Sequence, residues 1–165
     1  MDHMIIAGID PGTARMGWAV IVSEKGQIKP VSYGCIMTQR IASDEIRLKS
    51  IFEELMHIFS LHKPKHLAIE DIFFATNAKT VIPVAQARGV VLLSAAMTGI
   101  HVSSYSPRAV KSAIAGNGAA DKSQVTAMVM RILHIDTPPK PDDTADALAI
   151  ALTHAYSYKL KAKTI

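Results

Sequence analysis

"MIIAGIDPGTARMGWAVIV", residues 4–22, holds two short apolar runs around a turn. MIIAGID (4–10) ends in Asp-Pro-Gly, and MGWAVIV (16–22) follows after a brief loop. Apolar runs of this length, punctuated by Pro and Gly, predict two strands. A turn signal in SEKGQI and the run PVSYGCIMT (30–38) extend them to an antiparallel meander. From Ser43 the period changes: Leu48, Ile51, Phe52, Leu55 and Phe59 mark an amphipathic helix that must stop before Pro64. HLAIE (66–70) is then a buried-type strand reached through a helical crossover. Residues 79–98 predict a helix apolar around most of its circumference, either central or pressed against another subunit. HVSSYS (101–106) predicts the last strand. Ser106 and Pro107 supply N-cap and first turn for a short helix ending near Gly116. Asp121 caps another, with Val125, Met128, Val129 and Ile132 on its buried face, and the proline-rich DTPPKPDD leads into a final helix. A meander continued by parallel strands through crossover helices gives an α/β fold, a five-stranded mixed sheet with helices on both faces.

The totals suit one domain. The chain has 165 residues, with 18 Lys and Arg against 14 Asp and Glu, a net charge of +4. A pI near 9.2 mildly favours a polyanionic partner. Cys35 is the sole cysteine, so no intrachain disulfide forms, as expected in a reducing cytoplasm, and it reads as a small buried hydrophobe. MDHMIIAGIDPG has neither a basic region nor a cleavable apolar segment of a secretion signal. The uncharged run at 89–100 has 12 residues, too short to span a bilayer, so a soluble protein with no membrane association is expected. With aromatics at 5% and mean hydropathy +0.21, aliphatic residues carry the packing and some apolar surface is available to a partner.

Five acidic residues stand out. Asp10 closes the first strand and Glu70 the fourth, and PDDTADALAIAL (141–152) places Asp142, Asp143 and Asp146 ahead of an apolar helical run. Local roles exist for each. Asp143 suits an N-cap, Asp146 the positive end of the helix dipole, and Asp-Pro-Gly is an ordinary turn. If the first and fourth strands are parallel neighbours, however, Asp10 and Glu70 emerge together at their carboxyl ends, where sites of such sheets lie, and Asp143 and Asp146 share a helical face. Like charges about 4 Å apart repel by roughly 4 kcal/mol at an effective dielectric of 20, so a cluster of four needs a cation. Carboxylate oxygens suit Mg²⁺ or Mn²⁺, and four of them from three segments suit a two-metal phosphoryl-transfer site.

These residues resemble the RuvC Holliday junction resolvases, of the RNase H-like nuclease superfamily. The resemblance runs in order through GIDPGTARMGWAVI, AIEDIFFATNAKTVIPVAQARGV, YSPRAVKSAIAGNGAADKSQV and DTADALAIALTHA, nearly the whole chain. It implies a structure-selective endonuclease that cuts four-way DNA junctions as a homodimer, leaving 5′-phosphate and 3′-hydroxyl ends, in recombination and repair. The implied cofactor is Mg²⁺, two ions per site with Mn²⁺ as substitute, and the implied partner is the RuvA and RuvB branch-migration complex. Matched residue by residue, Asp10, Glu70, Asp143 and Asp146 become the catalytic metal ligands. Asp142 falls beside the motif, and Asp71 follows Glu70 where the motif needs no acid.

Phe73 and Phe74 lie in the loop FFATNAKT, suited to core anchoring or to stacking on junction bases. The resemblance makes one of them, Phe73 foremost, a junction-facing wedge. Lys111 and Lys122 match family lysines near the catalytic cleft, holding phosphates or, for Lys122, stabilising charge during cleavage. Lys79, Arg88 and Arg108 are further candidates for DNA backbone contacts, and a basic tail, YKLKAKT, begins about residue 157. Two other readings are open. His62 and His66 have the i, i+4 spacing of zinc ligands, but Pro64 breaks the helix that would align them. GIDPGTARMG also resembles the phosphate-binding hairpin of actin and Hsp70 ATPases, which need two lobes where this chain offers one. A junction-binding module that does not cut is the other alternative.

Overall fold

The computed structural model describes residues 3–72 and 78–163, apart from the side chains of 78–80 and 159–163. Three antiparallel strands come first: β1 (Met4–Asp10), β2 (Arg15–Glu24) and β3 (Gln27–Met37). Between β2 and β3 the chain reverses through Lys25 and Gly26, both at positive φ (48° and 88°), the two-residue turn whose twist matches paired strands. β3 thus starts three residues before Pro30, which an edge strand tolerates. Helix α1 (Asp44–His62) crosses to β4 (His66–Glu70), and α2 (Ala78–Thr98) crosses to β5 (His101–Tyr105). Then come α3 (Pro107–Ala115), α4 (Lys122–Leu133) and α5 (Asp142–Lys163). Strand order is β3-β2-β1-β4-β5, with β4 parallel to both β1 and β5.

Alternation along the strands sorts side chains onto two faces. Ala7 and Ile9 of β1, Val20 of β2 and Leu67 and Ile69 of β4 pack under α1 and α2 with Ile51, Leu55, Phe59 and Val91. Ile6, Ala19, Ile21 and Ala68 point the other way, against Leu148 and Leu152 of α5 and Val125 and Val129 of α4. The second layer is the tighter. A Cβ on Gly8 would strike the carbonyl of Ala147 and lie 2.7 Å from Ala151 Cβ, and one on Gly17 would strike the backbone of Asp143. With Ala147, Ala151 and Ala155 all buried, α5 lies flush on β1 and β2. Its middle is held by Tyr105, whose hydroxyl is 2.8 Å from His154 Nδ1, while the His66 ring sits 5.1 Å from those of His154 and Tyr158.

Several expectations shift. Helix α5 begins at Asp142, so Asp143 lies inside the first turn instead of capping it; the entry is closed by Thr144 N donating to Pro141 O. Helix also continues through the expected tail to Lys163. In α4, Val125, Val129 and Leu133 are buried while Met128 and Ile132 are only partly so. Cys35 is half-buried. Helix α2 is not central. It buries Ala87, Val91 and Ala95 and leaves Ile82, Leu93 and Met97 exposed at 60%, 55% and 61%. Its segment Val81–Thr98 is also long and apolar enough to cross a bilayer, with mean hydropathy 1.5, where the 12-residue run looked too short. One side of this helix nevertheless packs on the sheet and α1, and Arg88 within it is engaged in an ion pair, as in a helix of a folded domain.

Gly8→Ala is expected to destabilise the fold by about 3 kcal/mol, the upper end of overpacking costs, because the obstructing atoms are backbone. A fall in the urea midpoint at unchanged m-value measures it.

Candidate active site

Register places the first two acids. Ile9 pairs with Ile69 in the parallel β1–β4 ladder, so Asp10 and Glu70 follow side by side at the carboxyl ends. Parity directs both to the face covered by α5, since Ile6 and Ala68, an even number of residues earlier, pack there. Asp10 also pairs with Gly17, the residue over which the backbone of Asp143 rests. One missing side chain thus brings the start of α5 to the end of β1.

The charges feel one another. The Asp10 carboxyl is pushed up to about 8, first by burial, then by Glu70, Asp146 and Asp143, with Lys122 opposing. Glu70 rises to about 7, again first by burial and then by Asp146, with Lys111 and Lys122 opposing. The α5 acids instead meet protein cations. Lys122 Nζ lies 2.8 Å from Asp146 Oδ2 and 3.7 Å from Asp142 Oδ2. Burial pulls the Lys122 ammonium down, but the Asp146 hydrogen bond and the surrounding carboxylates outweigh it and the net shift is upward. Arg15 Nε stands 3.4 Å from Asp143 Oδ2, a buried oxygen that accepts no hydrogen bond.

Oxygen-only donors, two carboxyls raised by burial and by neighbouring acids, and a buried carboxylate oxygen without a hydrogen bond fit a hard divalent cation. Among the described residues, no three acidic, histidine or cysteine side chains stand close enough together to hold an ion as oriented. Asp146 is turned to Lys122 and Asp143 to Arg15, so sharing an ion requires these side chains to rotate. Beside them a cleft of about 230 Å³ is lined by Glu70, Lys111, Lys122 and Asp146 over Val110, Val125 and Ile150.

Lys111 and Lys122 therefore lie at the acids, as expected. Arg108 is exposed on α3, its side chain against Gly118. Arg88 is held internally, donating to Ser104 Oγ at 2.8 Å and pairing with Asp71 Oδ1 at 3.3 Å, which accounts for the extra acid after Glu70. Phe73, Phe74 and the side chain of Lys79 lie outside the described residues. Arg15 escaped the sequence reading. Its only signal was a cation two residues before Gly17, and nothing in the spacing joined it to Asp143, 128 positions on in the 165-residue chain.

Comparison with known proteins bears on the family and the fold. The model of the family "Crossover junction endodeoxyribonuclease RuvC" matches residues 6–154. The RuvC of Syntrophomonas wolfei is 48% identical over 95% of this chain and 91% of its own, and that of Desulfitobacterium hafniense 47% over 95% of each. Thermus thermophilus RuvC in complex with Holliday junction substrate superposes with a TM-score of 0.91 at 34% identity, over 96% of this chain and 97% of that one. The yeast mitochondrial Holliday junction resolvase Ydc2 shares the fold, with a TM-score of 0.63 at 13% identity over 92% of this chain and 78% of its own. By motif order, by fold and by these matches, the chain belongs to the RuvC family of crossover junction endodeoxyribonucleases.

Proposed function

We propose that the protein is a metal-dependent endonuclease that resolves Holliday junctions in DNA recombination and repair, with Asp10, Glu70, Asp143 and Asp146 as its metal ligands. The observation that carries the assignment of the site is the convergence of the Asp10 and Glu70 carboxyls, both raised by burial and by neighbouring acids, on the α5 pair, a cost that catalytic sites sustain and a non-cutting binding module has no need of. Neither that module nor an actin-like nucleotide-binding protein is favoured, since the family matches cover nearly the whole chain.

Mg²⁺, two ions to a site with Mn²⁺ as substitute, is the finer proposal, supported by the all-carboxylate donor set and by the family resemblance. Bound metal would supply the Lewis acidity that phosphodiester hydrolysis requires. The chain's own groups do the rest. Lys111 and Lys122, in the cleft with Glu70, are proposed to hold the phosphate by charge, and Lys122 to stabilise the negative charge that develops on the departing 3′ oxygen, leaving a 5′-phosphate. Asp10 and Glu70 are half-buried, which limits the water competing for their oxygens. Arg108 and Lys79 are proposed to touch the DNA backbone and Phe73, with Phe74 behind it, to wedge the junction, on the strength of the resemblance; Arg88 is withdrawn from that set because Asp71 and Ser104 hold it.

A homodimer is proposed through α2. Only 22% of its Val81–Thr98 window is buried, leaving the stripe of Ile82, Leu93 and Met97 to a second copy, as the sequence anticipated for an apolar helix that is not central. Two related sites would then address two strands of a junction. Partnership with RuvA and RuvB and a cytoplasmic setting rest on the family resemblance alone.

Asp10→Asn is expected to bind a synthetic four-way junction like the natural chain but to lose cleavage by at least about 100-fold, read by gel shift and single-turnover cutting with Mg²⁺; cleavage at the natural rate would reject the site. Divalent metal competes with protons held by Asp10 and Glu70 at about 8 and about 7, so affinity for Mn²⁺ should climb as pH rises from about 6 to about 9. The same raised carboxyls mean that the folded chain binds more protons than the unfolded one between about pH 4 and 8, so stability in EDTA should fall across that window as pH rises. Asp10→Asn should flatten that fall in thermal melts. Leu93→Glu should convert dimer to monomer in analytical ultracentrifugation.

A further inference from the structure

Two protein cations flank the α5 acids, one from each side. Lys122, at the start of α4, takes Asp146, and Arg15, at the start of β2, takes Asp143. Only the lysine was anticipated by the family motifs. Arg15 lies on the α5 face by register, two residues before Gly17, over which the Asp143 backbone rests. Its position is fixed from below. Arg15 pairs with Met37 of β3, and the Gly12 turn folds back so closely that a Cβ there would strike the Arg15 carbonyl. The backbone therefore cannot retreat from Asp143, whereas the side chain, 57% exposed, is free to swing outward.

The contact itself is incomplete. At 3.4 Å the pair is an ion pair with no hydrogen bond, and Asp143 Oδ2 accepts none from any group described. Such an oxygen is held by charge alone and is available to a stronger cation. A divalent ion bound there would stand within a few ångströms of the guanidinium and be repelled by it, unless Arg15 moved aside.

We propose that Arg15 is a positioning residue that holds Asp143 and competes with the divalent metal for its Oδ2, so that it sets the metal concentration at which the site fills. This rests on the reading of Asp143 as a metal ligand. The charge matters more than the fork of donors, because a single long contact carries it. Lysine should therefore substitute, and a neutral amide should not.

The experiment titrates Mn²⁺ into the full chain without DNA, followed by electron paramagnetic resonance of the free ion, for the natural protein, Arg15→Gln, Arg15→Lys and Asp143→Asn. Arg15→Gln is expected to tighten Mn²⁺ binding about fivefold, the size of a partly screened charge contact. Arg15→Lys should stay within about twofold of natural and Asp143→Asn should weaken binding by about tenfold or more. If Asp143→Asn weakens binding while Arg15→Gln leaves it unchanged or weaker, the role of Arg15 is overturned and the ligand assignment stands. Should Asp143→Asn bind like the natural chain, the ligand assignment falls and Arg15 has nothing to compete for. Tightening by Arg15→Lys as large as that by Arg15→Gln would overturn the charge argument.

Discussion

Close contact between α5 and the first two strands is the constraint on which the site depends. Gly8 and Gly17 leave no side chain under the helix, and Ala147, Ala151 and Ala155 leave little above it, so backbone meets backbone. A larger residue at either glycine would lift α5, and lifting α5 would part Asp143 and Asp146 from Asp10 and Glu70. The apolar gain of this contact is modest for each small side chain. Its value lies in precision of placement, since surfaces without flexible side chains have few alternative packings.

Electrostatics then works against the packing that created it. Burial and neighbouring charge raise Asp10 and Glu70, which is unfavourable for a carboxylate at neutral pH and is sustained because the two strands are held by the sheet and the α1, α2 layer beneath. Lys122 and Arg15 relieve the α5 half of the cluster, whereas protonation relieves the strand half. The division follows from depth. The strand ends lie under the helix, where Lys111 and Lys122 act on them through space without an ion pair among the described residues, while the first turn of α5 is at the rim.

Much of this was legible in the sequence because strand ends and helix caps are local. The meander, both crossover helices and the five strands follow from period, turn residues and order along the chain, and the resemblance to the family motifs singled out four of the acids. Local rules failed where a tertiary contact decided. Asp143 reads as an N-cap, but the helix starts two residues earlier than that cap would allow, at Asp142, with the Asp143 backbone against Gly17 and its carboxylate toward Arg15. Arg88 reads as a free cation on an apolar helix until β5 and Asp71 close around it. The apolar girth of α2 could be read as burial or as interface, and only the coordinates separate the two sides of that helix.

Tyr105, the register partner of Glu70, reaches His154 in the middle of α5, and the His66 and Tyr158 rings continue the contact away from the acids. Asp143 and Asp146 are consequently two jaws of one rigid tool. Any drift of the rod carries them as a pair, keeping the gap between them while opening or closing the gap to the strand acids. With the four acids sharing a cation as proposed, ionic radius would be gauged between helix and sheet, and substitutions remote from them, in the ring stack itself, would retune which cation is preferred.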